Sequence, residues 1–283
     1  MGSQKLRIVL VLGVLFVSGC DQVTQEAGSI QAASSSNAGA ANTGAASSAG
    51  SGSGPSTQYP GSPVLPLTPA TQRIYTHSGT YLYAFDPRNN SETLIGRFSP
   101  PGGGMFGTIS DIAVSNSGVL IGISCLGLLY QINPSNAELT LLMNYPGGGN
   151  AITFLSNGKL IAAGGTRITT IDLANRTITP FTQDQYFESS GDIVALPDGF
   201  LYETVVAGAS DNLVQINPST GHTVVVGSVG FKDVAGLAYA DGKLYGFNLS
   251  GTLIEINPAT GRGTAIGATS LEHYGAASSP VAW

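Results

Sequence analysis

The chain has 283 residues with 39 Gly and only 10% charged side chains. Removing Lys5 and Arg7, which belong to an export segment described below, leaves 9 Lys+Arg (11 − 2) against 17 Asp+Glu, a net charge of −8. Such a balance carries no basic stripe, which excludes a nucleic-acid-binding surface.

The first nineteen residues read as a processing signal. Lys5 and Arg7 form a short basic region, and Ile8 to Val17 is an apolar run too short to span a bilayer comfortably. The run ends in Val17-Ser18-Gly19-Cys20, small residues just ahead of a cysteine, which resembles the lipobox of bacterial lipoproteins. The resemblance implies acylation of the Cys20 sulfur, cleavage before it, acylation of the new amino terminus, and a membrane anchor. Several acyl chains hold far better than one, at about 0.8 kcal/mol per buried methylene. With Cys20 acylated, Cys125 is the only thiol left, so no intrachain disulfide is expected and Cys125 is read as a buried, inert thiol.

Residues 20–71 carry the anchor site and a linker rich in Ala, Ser and Gly. Between Ala32 and Ser56 there is no charged, aromatic or large aliphatic residue, so the stretch cannot bury enough apolar surface to offset its ordering entropy, and disorder is expected. A flexible chain of the 49 residues 22–70 has an r.m.s. reach of about 35–42 Å.

Residues 72–283 contain a strand-turn-strand unit five times over. Its turns read Asp86-Pro87, Asn133-Pro134, Asp172-Leu173, Asn217-Pro218 and Asn257-Pro258, at intervals of 47, 39, 45 and 40 residues. One position earlier stand Phe85, Ile132, Ile171, Ile216 and Ile256, and four earlier Leu82, Leu129, Ile168, Leu213 and Leu253. Two positions earlier stand Ala84, Gln131, Thr170, Gln215 and Glu255, small or polar, which reads as a mostly alternating strand with one buried face. After the turn, Gly221 and Gly261 supply a left-handed residue, with Asn89 or Asn90, Asn136 and Asn175 doing similar work in the other copies.

Ahead of each turn lies a second hairpin, marked by Ser115-Asn116-Ser117-Gly118, Ser156-Asn157-Gly158, Pro197-Asp198-Gly199 and Ala240-Asp241-Gly242. Four short antiparallel strands at a period near 42 describe a β-propeller blade. The first copy lacks its innermost strand, and the last residues, from Gly275 on, read as an innermost strand with nothing after it. The expected fold is therefore all-β: five four-stranded blades, closed by the C-terminal strand joining the first blade, in a monomeric ring. The phrase Gly242-Lys243-Leu244-Tyr245-Gly246, with Gly251-Thr252-Leu253-Ile254-Glu255-Ile256-Asn257-Pro258-Ala259-Thr260-Gly261, resembles the blade motif of secreted bacterial propellers of the NHL-like and lactonase-like kind. The resemblance implies the fold alone, since such propellers include both hydrolases and binding scaffolds.

Candidate chemistry is sparse. Gly102 to Gly107 formally satisfies G-x-G-x-x-G but lacks a strand-loop-helix setting. No Gly-x-Ser-x-Gly elbow and no zinc spacing among His77, His222 and His273 is present. Asp111, Asn150, Asp192 and Asp233 fall near the starts of innermost strands, where converging oxygens would suit a divalent cation such as calcium; the same aspartates also suit capping of backbone N–H groups. Phe106, Tyr145, Tyr186 and Phe187 fall in connections, with Thr182–Ser190 the longest of them, and mark a face for an envelope protein or glycan. Two readings follow: a lipid-anchored, non-catalytic binding scaffold in the cell envelope, or a metal-assisted hydrolase of small esters or lactones at the channel mouth.

Overall fold

The computed structural model describes residues 73–104 and 106–278. The signal segment, Cys20, the linker, Met105 and the last five residues lie outside them. Among the described residues there is no α-helix; twenty strands form five four-stranded sheets. Blade 1 holds β1 (Ile74–His77), β2 (Tyr81–Asp86) and β3 (Ser91–Arg97). Blade 2 holds β4 (Ile109–Val114), β5 (Leu120–Ser124), β6 (Leu128–Ile132) and β7 (Leu139–Asn144). Blade 3 is β8 (Ala151–Phe154), β9 (Leu160–Gly164), β10 (Arg167–Asp172) and β11 (Thr177–Pro180). Blade 4 is β12 (Ser189–Ala195), β13 (Leu201–Val205), β14 (Asn212–Ile216) and β15 (Thr223–Ser228). Blade 5 is β16 (Val234–Ala240), β17 (Lys243–Asn248), β18 (Thr252–Ile256) and β19 (Gly263–Ala268). The final strand, β20 (Gly275–Ser278), pairs antiparallel with β1, Ile74 opposite Ser278, and completes blade 1 in the order β20-β1-β2-β3. The five-bladed propeller closed by its last strand is thus the fold of the protein, and the closure leaves no open sheet edge at the join.

The core is five seams, one between each pair of neighbouring blades. This corrects the reading of the third strands as buried on one face. Ile132 packs in the seam toward blade 1 and Leu129 in the seam toward blade 3, and both are fully buried. The same split separates Phe85 from Leu82, Ile171 from Ile168, Ile216 from Leu213 and Ile256 from Leu253. The two apolar columns stand three residues apart, so they point to opposite faces of a strand. Both faces are covered because each blade is sandwiched between two others.

The left-handed position also differs from expectation in two copies. It falls four residues after the turn start throughout: Asn90, Ala137, Arg176, Gly221 and Gly261. Asn136 and Asn175 are used otherwise, the first accepting the Glu138 N–H and the second donating to Asp172. Gly221 is the position where glycine is required, because a Cβ there would run into the Thr182 carbonyl.

Candidate functional site

The five innermost strands β4, β8, β12, β16 and β20 line the axis. Toward their ends they pair with the second strands, Val114 opposite Leu120, Phe154 opposite Leu160, Ala195 opposite Leu201, Tyr239 opposite Leu244, and Ser278 opposite Ile74. Three residues before those ends stand Asp111, Ala151, Asp192, Gly236 and Gly275. Two short carboxylates therefore share one layer with three residues that have little or no side chain. The small residues make the room: a Cβ on Gly275 would overlap both the Asp111 carboxyl and the His77 ring.

Asp111 and Asp192 are both 0% exposed. Asp111 Oδ2 accepts the Ile152 N–H of β8 at 2.5 Å. Asp192 Oδ1 accepts the N–H of Ile193 at 2.6 Å, and its Oδ2 accepts those of Leu237 on β16 at 2.5 Å and Ala276 on β20 at 3.4 Å. The remaining oxygen, Asp111 Oδ1, is buried and has no hydrogen-bond partner. Burial pushes both acids well above the usual carboxylate range, and for Asp111 the neighbouring Asp192 charge adds to the push. Asp111 thus ties β4 to β8, Asp192 ties β12 to β16 and β20, and the two side chains, closed to solvent, stop the channel. Beyond them, toward the hairpin turns, remains a cavity of about 40 Å³, room for a few waters at most.

The other two expected cation ligands do not join them. Asp233 is exposed, in the connection between β15 and β16 with φ 55°. Asn150 is half-buried, its backbone N–H bonded to the Ala163 carbonyl and its Oδ1 without a partner. Among the described residues no group of three His, Cys, Asp or Glu side chains is disposed to hold a metal ion. Calcium takes six to eight oxygens; here three of the four carboxylate oxygens are turned onto backbone N–H groups and only Asp111 Oδ1 is left over, so the residues present do not fit that ion.

The aromatic candidates also separate. Tyr145 is 3% exposed, in the seam between blades 2 and 3, its hydroxyl 2.8 Å from that of Thr169; it is core, which corrects its placement on a binding face. Phe106 and Phe187 are half-buried and pack against seams. Tyr186 alone is displayed, 64% exposed. Its loop is pinned by Asp184, which accepts the Thr223 N–H and pairs with His222 at 2.5 Å, and by the Glu188 carbonyl, which accepts from Val206. Val206 and Leu126 are the other exposed aliphatic side chains in connections on this face. Near the β4–β5 turn, a groove of about 360 Å³ runs between blades 2 and 3, lined among others by Asn116, Phe154, Lys159, Asp172 and Leu173.

Several buried polar groups were not legible in the sequence. His77 is 0% exposed, donates through Nδ1 to the Ser78 carbonyl and leaves Nε2 unpartnered; burial lowers its pKa to about 4. His273, in the connection leading to β20, lies 2.8 Å from Glu92, which also accepts the Thr76 hydroxyl at 2.6 Å. Although burial opposes it, the hydrogen bonds from His273 and Thr76 and the charge of His273 hold the Glu92 carboxyl below its ordinary value. Glu203 of β13 is 3% exposed, and burial raises its pKa to about 8. Asp211, 2% exposed, accepts the Ser190 hydroxyl and the Val234 N–H and so ties blade 4 to blade 5. Cys125 is half-exposed, against the expectation of a buried thiol.

No family model and no curated protein matches the chain. Among solved structures, a chain of a nidogen/laminin complex is 10% identical, with a TM-score of 0.53, over 74% of this chain and 98% of that one. An auxiliary nutrient binding protein from Bacteroides thetaiotaomicron is 14% identical with a TM-score of 0.46, over 71% of this chain and 58% of its own. One from Bacteroides ovatus is 16% identical with a TM-score of 0.46, over 71% and 55%. At these identities the likeness concerns the fold: this chain is an all-β propeller of five blades.

Proposed function

We propose that the protein is a non-catalytic binding scaffold of the bacterial cell envelope, anchored through a lipid on Cys20 and held off the membrane by residues 20–71. The observation that carries this reading is the stopped channel. A channel-mouth hydrolase needs its carboxylates facing substrate, whereas Asp111 and Asp192 are sealed from solvent and three of their four oxygens accept backbone N–H groups. The outer surface is what remains for recognition, and the connection face with Tyr186, Val206 and Leu126 offers apolar contact in a surface poor in charge. The partner is an envelope protein or a glycan.

The test is an assay of the purified protein on aryl esters and small lactones, with and without calcium. The scaffold reading expects no turnover above buffer; turnover abolished by Asp111→Asn would replace it with the hydrolase. The anchor is tested separately. Cys20 is the only cysteine other than Cys125, so a disulfide between them and a thioether lipid on Cys20 exclude each other. Mass spectrometry of the membrane-extracted protein should find an acylated Cys20; a Cys20–Cys125 linked peptide would refute the anchor.

A further inference from the structure

Two buried acceptor atoms face one another over Gly275. A Cβ on that residue would lie 2.5 Å from His77 Nε2 and closer still to Asp111 Oδ1, so the two atoms stand less than 5 Å apart (2 × 2.5 Å). Both atoms are buried and neither has a hydrogen-bond partner. His77 Nδ1 lies 2.9 Å from the Ser78 carbonyl. A carbonyl only accepts, so the ring proton is on Nδ1 and Nε2 presents a lone pair. Asp111 Oδ2 is taken by the Ile152 N–H, which leaves the lone pairs of Oδ1. Two facing acceptors cannot satisfy each other, and leaving both bare costs the desolvation of each. They call for one small molecule that donates twice.

The spacing selects that molecule. A direct bond needs about 2.7–3.2 Å, and the two atoms, each without a partner, do not make one. A water bonded to both at about 2.8 Å holds them about 4.5 Å apart, inside the limit set over Gly275. We propose that a single buried water sits between His77 Nε2 and Asp111 Oδ1 and donates one hydrogen to each. A proton on Asp111 Oδ1 keeps the bridge, since the water then accepts from Oδ1 and still donates to Nε2. Gly275 stands opposite His77 in the ladder between β1 and β20, and a strand glycine there leaves the close approach open.

The water also completes the layer on the axis. Side-chain bonds there run from β4 to β8 and from β12 to β16 and β20. The bridge adds the step from β1 of the closing blade to β4 of blade 2. The join of the chain ends is thereby pinned to its neighbour as well as laddered to itself.

The test counts long-lived internal waters in the whole protein by 17O magnetic relaxation dispersion, in the wild type and in His77→Leu, whose side chain fills much of the same space without an acceptor. A crystal structure of the wild type that shows ordered water is read beside it. The expected results are density for one water within bonding distance of both atoms and a count lower by one in the variant. A direct bond between Nε2 and Oδ1, a crystal with no water between them, or equal counts in the two proteins would overturn the proposal. If His77→Leu does not fold, the wild-type density decides alone.

Discussion

Arg176 sits at φ 53° in an exposed turn where two of the other four copies carry glycine. A non-glycine residue held left-handed costs roughly 1–2 kcal/mol, and glycine gives back part of that in chain entropy. Arg176→Gly should therefore stabilise the protein by about 0.5–1 kcal/mol, read as a rise in denaturation midpoint. Gly221→Ala is the opposite case, since its methyl meets the Thr182 carbonyl, and should cost more than about 2 kcal/mol. Glu203 tests burial without a counter-charge. Its folded pKa of about 8 lies above the ordinary carboxylate value, so the native state binds the extra proton. Stability from this group is fully present below the unfolded pKa and is lost as pH rises toward 8. Glu203→Gln should thus gain stability relative to the wild type on going from pH 5 to pH 8, by at most about 5 kcal/mol.

At the scale of elements, the four strands of a blade are legible because each has its own signal. Asn-Gly and Asp-Gly turns mark the inner hairpins, and the Asn-Pro turns mark the outer ones. Two residues past each turn glycine of blades 2 to 5 stands a leucine, Leu120, Leu160, Leu201 and Leu244, all buried. What the strand pattern hid was the second buried face, since Leu129 and Ile132 look the same whether one neighbour or two cover them. The closing strand β20 is tied in by its ladder to β1, by the Asp192 bond to Ala276, and by the Tyr274 N–H on the His77 carbonyl. Deleting residues 275–283 should lower the melting temperature by about 10–20 °C. Hydrogen exchange in β1 should speed up sharply; unchanged protection there would show that blade 1 holds without β20.

For the whole molecule, the join between Ile74 and Ser278 brings together residues 204 positions apart (278 − 74), and it is guarded by groups that respond to acid. His77 is buried neutral with a pKa of about 4, below the unfolded value. The unfolded chain therefore binds the proton first, and stability is lost as pH falls from about 6.5 to about 4. Glu92, held low by His273 and Thr76 and opposed by burial, acts in the same direction as pH falls through its depressed pKa. The combined expectation is acid unfolding that begins at the closing blade. His77→Phe should flatten the arm between about pH 6.5 and about pH 4 by up to about 3 kcal/mol; an unaltered acid arm would remove His77 from this role.

Sequence alone determined the repeat, the number of blades and the way the ends meet, because each rests on local turn chemistry and on strand periods that one copy repeats from the last. It also placed Asp111 and Asp192 near the starts of inner strands. Only the tertiary structure decided that these two are buried in one layer on the axis while Asp233 turns to solvent and Tyr145 goes into a seam. Curling the sheets into a ring sets one layer of five side chains around an axis, and whether a carboxyl there finds a partner depends on the sizes of the other four. That condition is met by Ala151, Gly236 and Gly275, scattered over 125 residues (275 − 150, from the one following Asn150), and no local pattern expresses it.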